Sequence, residues 1–549
     1  MFCNRPKIRR CSVLFRHFRR GNKQAHRADI IHNYSESRHS KLEETTFGDP
    51  LSRVTQILLA LAIVAGLIVW QLFVPPIIGL ADQGDFVRML GPLEYAPVPR
   101  GPEHKYWYVT RKYVKDPTYR EPRWEQPSSE LLTAWAATRL NRLIAGGQEF
   151  DIRIIGWAHA LLFFLALARL LYVTRQLRVY WLLWSLVILI MTDVGYVAYL
   201  NSLYTEPASC IWFLFFLAES IAIASAEKAT WGAVLRWTAF AILWITAKIQ
   251  NAPLCVPIAF YGATTFKLAS DRRLRHVAAG GMLAICVSGW VMYRSTLPAT
   301  RVTALYNTVF FGILPESTRP EADLASLGLD RSYAQYSGTV AWSPGTGVAD
   351  GALVQAVERQ LNPLKLFGFY LSRPARLHQH VERVLQNALS LRPEFCGNFE
   401  ESAGRRPGAR SDAIAFWSGF HSRCLGRIGD FLVGALLVST LIGLAMIVRM
   451  GRKHDCRRWL EFGVFVGICC LMAFSVAAFG DAWDNVKHQF LFNLLLDTCL
   501  VFVVVTAFES VAASRRRSEQ VAARAGDGPD RRKSRSQSEK GCGEEVEFD

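Results

Sequence analysis

Apolar residues fall along this chain in blocks of roughly twenty, the length a helix needs to cross the hydrocarbon core of a bilayer. The blocks predict ten spans, at about 54–74, 153–174, 178–196, 205–226, 231–247, 250–267, 277–295, 428–449, 459–479 and 488–511. The polar stretches between them are very unequal, and two are long, 77–150 and 296–426. In the first, Leu131, Leu132, Trp135, Leu140 and Leu143 recur at helical spacing. They predict a helix from Ser129 to Ile144 along the membrane surface, capped by Ser128 or Ser129. In the second, helices are expected over 351–360 and 376–390, in a segment too long for a passive connection. The expected architecture is an all-α polytopic membrane protein, with one transmembrane domain over 54–511. Polar tails at 1–53 and 512–549 lack periodicity and are expected to be disordered.

Composition agrees with the pattern. Half of the 549 residues are hydrophobic (51%), 12% are aromatic, and the mean hydropathy is +0.15. The formal charge of +17 would suit nucleic acid, but its distribution argues otherwise. Basic residues cluster at Arg9, Arg10, Arg16, Arg19 and Arg20, at Arg272, Arg273 and Arg275, at Arg452, Lys453, Arg457 and Arg458, and at Arg515–Arg517. With ten spans these clusters all share the face that holds both termini, which the positive-inside rule makes cytoplasmic. The partner implied is the lipid bilayer, not nucleic acid. The other face receives 77–150, the joint near Asn201, the turn at Lys248, 296–426 and 480–487. Cys396 and Cys424 lie in that outer set, where an oxidising exterior would let them pair as a disulfide. No cysteine pair has metal-ligand spacing.

Candidate chemistry gathers on the same face. In Ala81–Arg88, Asp82 and Asp85 stand three residues apart with Arg88 three further on, and a helix would place all three on one side. Such carboxylates suit a general base or a cation site; an ordinary polar turn with one salt bridge has the same composition. Tyr199–Pro207 sets Glu206 before a proline at a helix start, where the helix dipole favours an anion. Gly480–Gln489 brings Lys487 and His488 to the start of the last span. Cations there suit a lipid-linked phosphate, or they snorkel to headgroups. Lys248, with Gln250 and Asn251 in a narrow turn, is a weaker candidate of the same kind.

Several short motifs carry a resemblance when taken in order. They are Gly84-Asp85-Phe86 with Arg88, Tyr204-Thr205-Glu206-Pro207, Asn307 through Leu314, Leu327-Gly328-Leu329-Asp330, Gly397-Asn398-Phe399-Glu400, and Lys487 through Asn493 with Asp497. Over about 54–510 the chain resembles the GT-C superfamily of membrane glycosyltransferases, and more narrowly the bacterial glycan-biosynthesis hexosyltransferases. It departs from that pattern with Gln83 where asparagine is usual and Lys487 where arginine is usual.

The resemblance implies an inverting transfer of a sugar, a hexose, from a polyprenyl-phosphate donor to a glycan or lipid-linked acceptor. The enzyme would lie in a bacterial inner (plasma) membrane with its site on the periplasmic or extracellular side. Asp85 or Asp82 would act as base or hold a divalent cation such as Mg or Mn, with Glu206 as a further acid. Arg88, Lys487, His488, Lys248 and Tyr204 would bind substrate. The rival readings are a secondary transporter, which would carry charges near mid-membrane, and a non-catalytic or polymerase component of envelope glycan assembly.

Overall fold

A computed structural model of the chain describes residues 50–98, 104–122, 124–226, 228–266, 271–346, 350–450 and 457–526. Of the expected disordered tails, 1–53 and 512–549, residues 1–49 and 527–549 lie outside the described residues, as do 267–270 and 451–456 of the basic joints, whereas 50–53 and 512–526 are helical.

Every expected span falls on a helix. Labelled here in chain order, the long helices begin with α1 (Pro50–Phe73), α2 (Glu130–Ala145), α3 (Ile152–Thr174) and α4 (Tyr180–Met191). They continue with α5 (Glu206–Ser225), α6 (Trp231–Ile245), α7 (Cys255–Phe266) and α8 (Arg272–Arg294). The remainder are α9 (Pro374–Ala388), α10 (Phe416–Arg423), α11 (Gly429–Arg449), α12 (Arg457–Gly480) and α13 (Phe490–Gly526). Among the described residues, seven helices are long and apolar enough to cross a membrane, and α4 with Val194–Asn201 makes an eighth if a 58° bend is allowed within one span. Asp193 stands at that bend. Its Oδ1 accepts from Gly195 N at 2.7 Å, and its Oδ2 from Ser418 N, in α10, at 2.9 Å.

The other two expected spans are short. At 1.5 Å per residue, α6 (15 residues) and α7 (12 residues) reach only about 22 and 18 Å. The 3₁₀ turn Ile249–Leu254, with Pro253 inside it, replaces the missing helix and brings Lys248 to the site. At the other end of the chain, α13 runs on to Gly526, past the expected end of the span at 511.

The helix that opens with Glu206 is central: 72% of its apolar stretch is buried, against 11% for the span containing α11. Helix α5 packs against α3, α6, α12 and α13. The exposed Phe431, Leu441 and Val448 on α11 are what a lipid-facing helix presents.

The two long polar segments are tied into one cap. Strand β1 (Ile78–Leu80) pairs antiparallel with Cys396–Phe399 of the second segment, Ile78 opposite Phe399 and Leu80 opposite Cys396. Between them in sequence, β2 (Tyr95–Pro97), β3 (Lys112–Lys115) and β4 (Glu149–Asp151) close the first segment as an antiparallel sheet, and Cys396–Phe399 is β5. A second hydrophobic core, including Leu305, Phe310, Leu353 and Leu366, fills the first part of the 296–426 segment, and its later residues, such as Leu385 and Phe395, join the main core. Its expected helices appear at Gly351–Gln360 and α9. The expected surface helix appears as α2, with Ser128 Oγ accepting from Glu130 N at 3.0 Å. Its apolar residues Leu132, Trp135 and Leu143 face outward, and the smaller Thr133, Ala134, Ala137 and Asn141 face the protein.

The expected disulfide does not form. Cys396 is a free thiol buried in β5, and Cys424 is free and exposed at the end of α10. Burial pushes the Cys396 thiol up to about 12, so it packs as an inert apolar group.

Candidate functional site

The Asp82–Asp85 segment is a turn, not the helix that would have put its carboxylates on one face. Asp82 Oδ1 accepts from the N–H groups of Gly84 at 2.7 Å and Phe86 at 3.1 Å, folding the carboxylate beneath its own turn. Gly84 completes it at φ +98°, a conformation few other residues adopt. The helix starts only at Val87, and its first turn aims Arg88 back at Asp85, with NH2 3.0 Å from Oδ1.

The other oxygen of Asp85 meets Lys487, 402 residues away, at 2.7 Å. Lys487 lies equally close to Asp484 Oδ2. Its ammonium also stands 5.4 Å from the centre of the Tyr204 ring and 5.8 Å from that of Phe395, faces that attract a cation. Tyr204 is fixed in turn. Its hydroxyl accepts from Gln83 N at 3.1 Å and reaches Ala81 O at 3.3 Å, and its ring meets Phe86 edge-on. The first and last motifs and the one between them therefore form one group.

Glu206 opens α5 with Pro207 in the first turn and takes Lys248 Nζ at 2.7 Å on Oε1. Its second oxygen is buried without a hydrogen-bond partner. His488 Nδ1 lies 3.0 Å from Gln250 Nε2, and its Nε2 faces Asp481 at 4.0 Å. Asp481 in turn accepts from Trp483 N and from Asn307 Nδ2 of the 296–426 segment. The sequence-predicted Asp85, Arg88, Tyr204, Lys487, Glu206, Lys248 and His488 are thus brought to one end of the helices, with Asp82 under the turn beside them.

Electrostatics divide the acids by role. Burial would raise the Asp85 carboxyl, but the Arg88 guanidinium and Lys487 ammonium outweigh it and hold it well below the usual range. Burial wins at Asp82, whose carboxyl is raised against the pull of Lys105 and the N–H groups of Phe86 and Gly84. It wins also at Asp484, in spite of Lys487, and at Asp481, which it pushes up to about 7. Lys487 is carried the other way. Burial would lower it, yet Asp484 and Asp85 keep it charged, well above the usual amine range. His488 is held neutral by burial and by the neighbouring Lys248 and Lys487.

A divalent cation does not fit the expected ligands. Both oxygens of Asp85 are engaged by Arg88 and Lys487, and an ion placed there would meet their positive charges. Among the described residues no group of three or more His, Cys, Asp and Glu is arranged to hold a metal.

Asp481, Asp484, Gln250 and Phe395 complete the site. The spacing of Asp484 three residues before Lys487 is visible in the sequence. Phe395 has no local signal; pairing of β1 with β5 delivers it.

The family described as the YfdI N-terminal transmembrane domain matches residues 40–525. Among solved structures, the archaeal oligosaccharyltransferase AglB from Archaeoglobus fulgidus, in complex with an inhibitory peptide and a dolichol-phosphate, is similar with 11% sequence identity and a TM-score of 0.36. The similarity covers 85% of this chain and 52% of that one, so the chain spans about half the length of that protein. No curated protein matches the chain.

Proposed function

We propose that this chain, which belongs to the family of the YfdI N-terminal transmembrane domain, is a membrane glycosyltransferase. It moves a sugar, a hexose, from a polyprenyl-phosphate donor to a glycan or lipid-linked acceptor at the outer face of a bacterial inner membrane. The observation that carries this reading is the convergence of Asp85, Lys487, Asp484, Glu206, Lys248 and His488 at one end of the central helices. A transporter would instead need such groups along a path open to both sides.

In this reading the reaction is an inverting displacement. The acceptor hydroxyl oxygen forms the new bond to the anomeric carbon, the bond from that carbon to the phosphate oxygen breaks, and the lipid phosphate leaves with the electron pair. The acceptor proton passes to Asp82, whose Oδ1 takes both turn N–H groups and whose raised carboxyl is the better base. Asp85, held strongly acidic, serves to place Arg88 and Lys487 against the departing phosphate. Lys248, set by Glu206, adds a third positive charge beside the same site.

The test is transfer of radiolabelled sugar from a panel of polyprenyl-phosphate sugars to lipid-linked glycans by the purified protein in vesicles. Asp85→Asn is expected to lower turnover about 100-fold, the scale of losing one positioned charge at a transition state. Full turnover in Asp85→Asn would remove the central assignment.

A further inference from the structure

Glu130 and His159 take no part in the steps above, yet both are fully buried, at the start of α2 and about two turns into α3. His159 Nε2 lies 2.7 Å from Glu130 Oε1, and His159 Nδ1 lies 2.8 Å from Leu200 O. A carbonyl only accepts, so Nδ1 carries a proton, and the contact between Nε2 and the carboxylate holds one more. The Glu130 carboxylate lies near the N–H of Ala208, in the first turn of α5, but its Oε2 is buried without a hydrogen-bond partner. A helix leaves those N–H groups without partners of its own.

Leu200 and Ala208 bracket the turn that carries Tyr204 and Glu206. His159 holds the start of that turn by its bond to Leu200 O, and Glu130 fixes the imidazole while its free Oε2 lies near the other end. A buried ion pair is seldom better for stability than apolar residues of the same volume. What it supplies here is direction, since the carboxylate on Nε2 turns Nδ1 toward the backbone carbonyl of Leu200.

We propose that Glu130 and His159 are positioning residues of the site. They hold the 200–208 turn so that Tyr204 stands beneath Lys487 and Glu206 against Lys248. The inference rests on the glycosyltransferase reading for its activity readout only.

The test compares wild type with Glu130→Gln, His159→Asn and His159→Phe in the full chain, with Thr133→Val on the same helix as control. Asparagine places its Nδ2 where histidine has Nδ1, so it keeps the bond to Leu200 O and loses Glu130; phenylalanine loses both. Two readouts are taken, hydrogen exchange and transfer kinetics. In Glu130→Gln and His159→Phe, exchange over 199–209 is expected to rise about tenfold or more while the spans stay protected. In the same variants kcat falls about 100-fold, the cost of a misplaced group, with KM for the donor within about threefold. His159→Asn falls between these and wild type, and Thr133→Val matches wild type. Unchanged exchange and kcat in Glu130→Gln and His159→Phe would overturn the inference, as would exchange rising alike through all spans. If wild type transfers no sugar but the exchange pattern stands, the glycosyltransferase reading fails and the positioning role survives.

Discussion

Lys487 decides the site at the scale of single residues, because it is a buried cation shared by two acids from opposite ends of the chain. Removing its charge leaves Asp85 paired with Arg88 and takes from Asp484 its close cation, leaving only the more distant Lys248, so Lys487→Met is expected to cost more activity than Lys487→Arg. Arginine restores the charge and offers two donors to the two carboxylates. Steady-state transfer with both variants checks this, and equal losses would mean that charge is not what matters. Asp481 offers a separate reading in pH. Burial raises its folded-state value to about 7 from the ordinary 3.8, so the folded protein favours the protonated form. The associated stability is present in full below about pH 4 and is lost as pH rises through about 7, an effect of at most about 4 kcal/mol. Asp481→Asn keeps the acceptor for Trp483 N and cannot ionise. Its unfolding midpoint relative to wild type should rise between pH 4 and 7, and parallel curves would show that Asp481 does not titrate there.

Among elements, close packing at glycine sets how the cap meets the spans. A Cβ on Gly156 of α3 would stand 1.9 Å from Asn201 Oδ1, and Asn201 is the residue whose Nδ2 ties Leu72 O and Ile78 O together. Gly156→Ala is expected to destabilise by about 1–3 kcal/mol, whereas Gly66→Ala on α1, with nothing within 4 Å, should be neutral or better. Thermal unfolding in detergent compares the two. The same contacts explain what was legible in sequence. Ten apolar blocks could be read as helices because lipid accepts few other backbone structures. The bend at Asp193 could not, since apolar residues resume directly after Thr192 and Asp193 and its second partner, Ser418, is 225 residues away. Asp82, Asp85, Glu206, Lys487 and His488 stood out as polar groups at span ends. Their pairing did not, nor did the turn at Gly84 that separates Asp82 from Asp85. Cys396 and Cys424 were matched by compartment alone, and burial of one and exposure of the other keep them apart.

For the whole molecule, the reading depends on which side of the membrane the cap occupies. The basic joints argue for a cytoplasmic face opposite the cap. The cap itself carries Cys424, an exposed thiol with no disulfide to mask it. Cys542 lies in the C-terminal tail, after Arg515–Arg517. These two native cysteines therefore report on the two faces without inserted tags. In single-cysteine variants, a membrane-impermeant maleimide applied to intact spheroplasts is expected to label Cys424 and to reach Cys542 only after permeabilisation. The reverse pattern would put Asp85, Lys487 and Glu206 in contact with the cytoplasm, where a donor delivered to the outer leaflet could not meet them. Labelling of Cys424 from outside, by contrast, would place the charged cluster on the face where the proposed lipid-linked donor and its acceptor would meet.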